Sequence, residues 1–374
     1  MENLRQTVIR VVRVTGILLL VGSCWYISFR IRNSVTVLPP EPTPVPIIYE
    51  IKTMPTEWEM LWETTSIRLA SPNMGLSLAA SSDSAFALAF GGTFVMKIDL
   101  STGATNRCRI RSSAPVRIFA ANEEHFFVGL LGSGRGGPIT PYSTWGATKI
   151  EAYLADSCGQ AWSQPIPGAR SLNDFVFATE TTISVHSPNS ANYYLLNTVT
   201  GNILEALPKQ ESHFIWRIDE ENNVTYVRTH ESAFVAIDND TGRTLWQSSI
   251  VHYSREQPLF TDQIIVIRDT SIRSHHGNLI AISKDDGKLL WRVENVASNV
   301  ALGKEHLFLI TRDMQLLALN PTTGSVVSQV DFAPDEIITN LYVTNIFQVA
   351  ASDDIVVVYL GDGNQLIAFR FSLD

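Results

Sequence analysis

From residue 56 onward the chain reads as short runs of Val, Ile, Leu, Phe and Tyr separated by clusters of Asp, Asn, Ser, Thr and Gly. Runs of this kind, bounded by turn residues, predict strands, and no stretch of the region carries the 3.6-residue period of an amphipathic helix. One phrase recurs: an apolar strand, a turn led by Asp, Asn or Ser and ending in Gly, then a second strand. It appears as Val95-Met96-Lys97-Ile98-Asp99-Leu100-Ser101-Thr102-Gly103. It returns as Ala236-Ile237-Asp238-Asn239-Asp240-Thr241-Gly242-Arg243-Thr244-Leu245-Trp246 and as Ala281-Ile282-Ser283-Lys284-Asp285-Asp286-Gly287-Lys288-Leu289-Leu290-Trp291. Weaker copies end at Gly159, Gly201 and Gly324. The leading side chain can accept hydrogen bonds from the turn amides, and glycine supplies the positive φ that closes the hairpin. The following aromatic falls on an outer strand, where it can cover the seam between adjacent units.

Glycines 103, 159, 201, 242, 287 and 324 lie 56, 42, 41, 45 and 37 residues apart. The long first interval holds Leu131 to Gly146, a Gly/Ser/Pro/Thr insertion without which the spacing falls to 40. A period near forty with four short strands per unit predicts a β-propeller. The two ends supply the blade count. Leu366 to Phe371 repeats the strand that precedes the turn, whereas Trp58 to Thr65, including Trp62, reads as an outer strand with no blade of its own. Pairing them completes a seventh blade and removes two open sheet edges. The expectation is an all-β, seven-bladed β-propeller over residues 56–374, closed by N-terminal strand pairing in the last blade.

The phrase resembles the PQQ-like (quinoprotein-type) propeller repeat, in which Ala-Leu-Asp-x-x-Thr-Gly-Lys-x-x-Trp marks each blade. Trp246 and Trp291 stand four residues after their glycines, as that repeat has it; Arg107, Glu205 and Ser328 take this place in three other copies, and Trp162 stands three after Gly159. The Gly-His and Trp-Asp signatures of WD40 propellers are missing, and the sialidase-type Asp-box would put its Trp at the third place. The resemblance raises the question of redox chemistry. Quinoprotein dehydrogenases of the wider family hold pyrroloquinoline quinone with a calcium or lanthanide ion, acidic ligands, a stacking Trp and often an adjacent-cysteine disulfide. Here no two of the three cysteines are adjacent, and no Asp/Glu cluster has ligand spacing. The expectation is no catalytic residue, no cofactor and no metal, with a quinoprotein-type oxidoreductase as the alternative.

Residues 1–32 differ from the rest. Val14 to Phe29 is uncharged for 16 residues, with Arg5, Arg10 and Arg13 before it and Arg30 and Arg32 after it. It covers ~24 Å as a helix, slightly less than the ~30 Å hydrocarbon core, and the Trp25, Tyr26, Phe29 cluster suits an interface. This predicts one transmembrane signal anchor with a cytoplasmic N-terminus. Leu20-Val21-Gly22-Ser23-Cys24 also resembles a bacterial lipobox, which would make Cys24 a lipidation site; cleavage without lipid would need an Ala-x-Ala-like site that is not there. Residues 33–55 form a linker, with five prolines between Leu38 and Pro46 that favour a semi-rigid stalk. These segments place the propeller on the extracytoplasmic side of a cell membrane. Without residues 1–32, 23 basic groups face 36 acidic ones, a net charge of −13 that argues against nucleic acid as a partner.

The remaining motifs carry little chemistry. Gly132-Ser133-Gly134-Arg135-Gly136-Gly137 satisfies Gly-x-Gly-x-x-Gly but leads to Pro138 and Pro141, so no helix N-terminus is available to hold a phosphate. His275 and His276 are adjacent and point apart on an extended segment. Cys108 and Cys158 could pair in an oxidising space, but their placement on neighbouring blades predicts two small buried hydrophobes instead. Propellers bind through loops on one face, so the 131–146 insertion with Arg135, Tyr142 and Trp145 is the candidate contact loop. The chain thus reads as a membrane-tethered protein-binding scaffold. Two further readings stand beside this one: an envelope lipoprotein akin to the propeller of outer-membrane barrel assembly, and a ligand-sensing ectodomain. Oligomeric state is not encoded in any motif.

Overall fold

The computed structural model describes Tyr49 to Leu373, leaving out residues 66–68, 70–77, 90–93, 111–115, 133–145, 168–174, 179–180, 187–191, 209–212, 220–221, 230–232, 252–257, 271–276, 335–346 and 362–363. Among the described residues every regular element is a strand, and the strands form seven antiparallel sheets. Blade 1 comprises Leu78–Ala80, Ser84–Leu88, Phe94–Asp99 and Thr105–Arg109. Blade 2 comprises Val116–Ala121, His125–Gly132, Gly146–Leu154 and Gln160–Pro165. Blade 3 runs Phe175–Ala178, Thr182–His186, Asn192–Asn197 and Ile203–Pro208, and blade 4 His213–Asp219, Val224–Thr229, Ala233–Asp238 and Thr244–Val251. Blade 5 runs Leu259–Phe260, Ile264–Thr270, Gly277–Ser283 and Leu289–Val296, and blade 6 Ala301–Leu302, Leu307–Ile310, Gln315–Leu319 and Val326–Pro334.

Blade 7 is assembled from both ends of the propeller sequence. Phe347–Ser352, Ile355–Leu360 and Gln365–Phe371 are completed by Trp58–Thr64, which lies antiparallel to the third strand with Met60 opposite Phe369 and Trp62 opposite Ala368. First strands touch between blades 7 and 1, 1 and 2, 2 and 3, 3 and 4, and 6 and 7, and buried clusters join blade 4 to 5 and blade 5 to 6, so the ring is closed. The seven-bladed propeller expected from the repeat is therefore the fold. The middle strands are apolar on both faces, as in Ile355-Val356-Val357-Val358-Tyr359-Leu360, because each blade is sandwiched between two others. Buried clusters accordingly lie between consecutive blades. One joins Phe234 and Ala236 of blade 4 to Ile265, Ile267 and Ile280 of blade 5, and another joins Phe308 and Leu316 of blade 6 to Val356, Val358 and Phe369 of blade 7.

One boundary falls elsewhere than expected. Tyr49–Thr53, inside the range read as linker, is a strand paired with Val326–Pro334, which makes blade 6 five-stranded. Tyr49 and Ile51 alternate with polar residues as a half-buried strand requires, and the neighbouring prolines mask that signal in the composition. The buried Gln365 fixes the strand to blade 7. The Tyr49 amide donates to its Oε1 at 3.0 Å, and its Nε2 donates to the Tyr49 carbonyl at 3.0 Å and to Glu63 at 2.6 Å. No helix among the described residues is long and apolar enough to cross a membrane; residues 1–48, with the predicted anchor and Cys24, lie outside them.

Candidate functional site

The repeated turns share one hydrogen-bond scheme. The amide of the last turn residue donates back to the carbonyl four residues earlier, as Gly103 to Asp99, Gly201 to Asn197, Gly242 to Asp238, Gly287 to Ser283 and Gly324 to Asn320. All five glycines have φ between 67° and 71°. At the head of the turn, Asp99 Oδ1 accepts from the amides of Ser101 and Thr102 at 3.0 and 2.8 Å and from both hydroxyls. The Ser101 and Thr102 hydroxyls hold the Asp99 carboxyl below its ordinary range, and the Thr241 hydroxyl does the same for Asp238.

In blade 2 the structure corrects the repeat register by one residue. The donor is the amide of Cys158, to Leu154, and Cys158 has the left-handed φ of 58°; Gly159 lacks it and corresponds to Ala104 and Arg243. Gly159 is therefore not the turn glycine that its residue type suggests. The signal was Trp162: counted from Cys158 it stands at the fourth place like the other tryptophans.

Four outer-strand tryptophans, Trp62, Trp162, Trp246 and Trp291, each pack onto the left-handed glycine of the next blade. The Trp62 indole donates to the Leu100 carbonyl at 2.8 Å, Trp162 to Thr198 at 2.8 Å, Trp246 to Lys284 at 2.7 Å and Trp291 to Pro321 at 2.8 Å. A Cβ on Gly103, Gly201, Gly287 or Gly324 would come within 2.4–2.7 Å of the ring, so only glycine admits it. These contacts close the 7/1, 2/3, 4/5 and 5/6 seams. At the 3/4 seam, where Glu205 stands in the tryptophan place, nothing among the described residues comes within 4 Å of a Cβ on Gly242. At 6/7 the Trp58 indole donates to Ser328 at 3.0 Å amid Phe308, Phe369 and Phe371.

The 1/2 seam is closed by a Cys108–Cys158 disulfide with a Cα–Cα distance of 5.2 Å, which overturns the expectation of two free buried cysteines. The expectation failed because it paired two outer strands; Cys158 lies in the turn, close to the preceding blade. In blades 2 to 7 the outer strand carries a bulge at the residue before the fourth place, which sets the tryptophan opposite Ala152, Ala236, Ala281 or Ala368. Blade 1 has no bulge: Asn106 pairs with Lys97 and Cys108 with Val95. Arg107 is thereby turned to the other face, its guanidinium 4.7 Å from the Phe94 ring, and Cys108 faces blade 2.

Two groups of charged side chains are buried, one across a seam and one within blade 2. The buried Asp219–Lys284 pair at 2.9 Å links blades 4 and 5. Burial alone would raise the Asp219 carboxyl, but hydrogen bonds from Lys284 and Asn222 outweigh it and hold the group below its ordinary value. Buried Glu151 accepts from Tyr153 at 2.7 Å, from Lys149 and from Ser163. Among the described residues no three of His, Cys, Asp and Glu are placed to hold a metal ion. The candidate contact residues Arg135, Tyr142 and Trp145 lie outside the described residues.

The rim is divided. On the outer strands of blades 3 to 6, Leu204, Leu245, Leu289, Leu290 and Val326 are 47–55% exposed. The second and third places of blades 1 and 2 hold Thr105, Asn106, Gln160 and Ala161 instead. This aliphatic arc was not recognised from the sequence, because it shows only once the bulge directs the tryptophan inward and its neighbour outward.

Comparison with known proteins agrees with this architecture. A family profile described as "Outer membrane protein assembly factor BamB" (PQQ_2) matches residues 149–372. No curated protein matches the sequence. Among solved structures, BamB from Moraxella catarrhalis is 12% identical over 85% of this chain and 98% of its own, with a TM-score of 0.47. The Cps50 (Swd1) β-propeller domain of Myceliophteria thermophila is 9% identical over 84% of this chain and 100% of its own, with a TM-score of 0.54, a likeness of fold alone. With more than half of its length matched by that profile, the chain belongs to the PQQ_2 family of BamB-like propellers.

Proposed function

We propose that this chain is a membrane-tethered, non-catalytic scaffold on the extracytoplasmic side, which holds a protein partner during the assembly of envelope proteins. The observation that carries the reading is the aliphatic arc on the rim of blades 3 to 6, where each of four successive outer strands presents a half-exposed Leu or Val, since clustered exposed apolar residues mark protein contacts. The partner's contacting element is an apolar strand laid along the rim. Tyr49–Thr53 already occupies the edge of blade 6 in this manner, at one end of the arc. The family description supports the assembly role, and the Cys108–Cys158 bridge supports an oxidising compartment.

The test is photo-crosslinking in native membranes from a probe at Leu245 or Leu289, with Asn106 and Gln160 as polar-rim controls. One discrete adduct from the arc that Leu290→Asp abolishes, and none from the controls, supports the reading. Equal labelling from both arcs overturns the site. Quinone absorbance in protein purified from its native host would overturn the non-catalytic role.

A further inference from the structure

We propose that the Cys108–Cys158 bridge is a redox-sensitive lock standing where other seams have Trp and Gly, so that a dithiol opens the 1/2 seam and leaves the tryptophan seams closed. Three observations carry this. The bridge joins the same two elements as the other locks, an outer strand of one blade, here from the fifth place, and the left-handed turn residue of the next. At its own seam no tryptophan takes over if it breaks, because Asn106 stands opposite Lys97 and Arg107 faces its own blade. The 3/4 seam, where among the described residues nothing stands over Gly242, is a second place in the same ring without a Trp–Gly lock.

Access decides the order of events. Cys108 is fully buried, whereas Cys158 lies in a partly exposed turn. A thiolate of the dithiol attacks the Cys158 sulfur, forming a mixed disulfide and releasing Cys108, which takes up a proton. The second thiol then displaces Cys158, which is protonated in turn. The dithiol gives up two electrons and leaves as its own disulfide. What remains at the seam includes the buried cluster of Phe86, Leu88, Val95, Phe126, Val128 and Tyr153, drawn from the second and third strands with Phe86 and Phe126 stacked at 4.7 Å, and the Lys97 bond to the Asp156 carbonyl at 3.4 Å. The stack lies on the second strands and the lysine contact is exposed, so the outer strand and the turn separate first.

The experiment is hydrogen exchange on the full chain, oxidised and after dithiothreitol, with alkylation to locate the thiols. Exchange in 105–109 and 154–159 is expected to accelerate at least tenfold on reduction, while the turns at Gly201, Gly287 and Gly324 stay unchanged. The Cys108→Val/Cys158→Gly variant is expected to reproduce the reduced pattern without reductant. Unchanged exchange after both cysteines are alkylated would overturn the proposal, as would equal acceleration at all seams. Should the variant fail to fold, reduction of the native chain still decides.

Discussion

The 5/6 and 1/2 seams solve one problem by different chemistry. At 5/6, a bulge presents Trp291 to a glycine with room for nothing larger, and the bond to Pro321 fixes the ring. At 1/2, a bulge-free strand presents Cys108 to a cysteine in the glycine's place. The first lock is built from buried area and is indifferent to redox state. The second is covalent and stabilises mainly by restricting the unfolded chain. The bulge decides between them, because a shift of one residue exchanges the faces of every side chain beyond it.

Removing Trp291 should produce the largest effect. Trp291→Ala deletes a nearly buried indole from the 5/6 cluster and is expected to cost about 3–5 kcal/mol in denaturant unfolding. Breaking the bridge follows: a sequence separation of 50 residues corresponds to ~4 kcal/mol by loop closure, a value that native strain and residual unfolded structure reduce. A loss near zero for Trp291→Ala would show that the strands alone hold the ring.

Alanine at two glycines then separates turn strain from locking. Gly242 and Gly287 share the same φ within a degree, but only Gly287 has a tryptophan against it. Gly242→Ala should cost about 1–2 kcal/mol, the left-handed penalty alone. Gly287→Ala adds a clash at 2.4 Å with Trp246 and should cost about 2–4 kcal/mol. Equal losses by thermal or denaturant unfolding would deny the tryptophan any part in demanding glycine.

These contrasts explain what the residue order disclosed. The turns, the blade count, the closure by Trp58–Thr64 and the seam role of the tryptophans were all legible, because each depends on residue type at a fixed local spacing. The glycine lock across the 7/1 and 4/5 seams depends on two residues some forty apart and was not. Cys158 was hidden by Gly159, a glycine one place late, although the displaced Trp162 gave the offset away. Tyr49–Thr53 lay behind a proline-rich stretch whose composition reads as stalk. The aliphatic arc had no signature of its own, since Leu245 and Leu290 are exposed only because Trp246 and Trp291 are not.

The smallest contrast lies within the turns themselves. Asp leads in blades 1 and 4, while Asn197 and Asn320 accept the same amide bonds in blades 3 and 6 without a titrating group. The Asp99 and Asp238 carboxyls sit below their ordinary value of 3.8, so their hydrogen bonds stabilise the fold above that pH and are lost as pH falls through the lower folded values. Asp156, Asp286 and Asp331 are lowered in the same direction, so the melting temperature should decline below about pH 4. Asp99→Asn/Asp238→Asn keeps the acceptor and removes the proton site, and should flatten that decline slightly while leaving the melting temperature at pH 7 little changed. An unaltered acid slope would mean that the turn hydroxyls bind the neutral carboxyl as well as the charged one, and the Asp-led and Asn-led blades would then be equivalent at every pH.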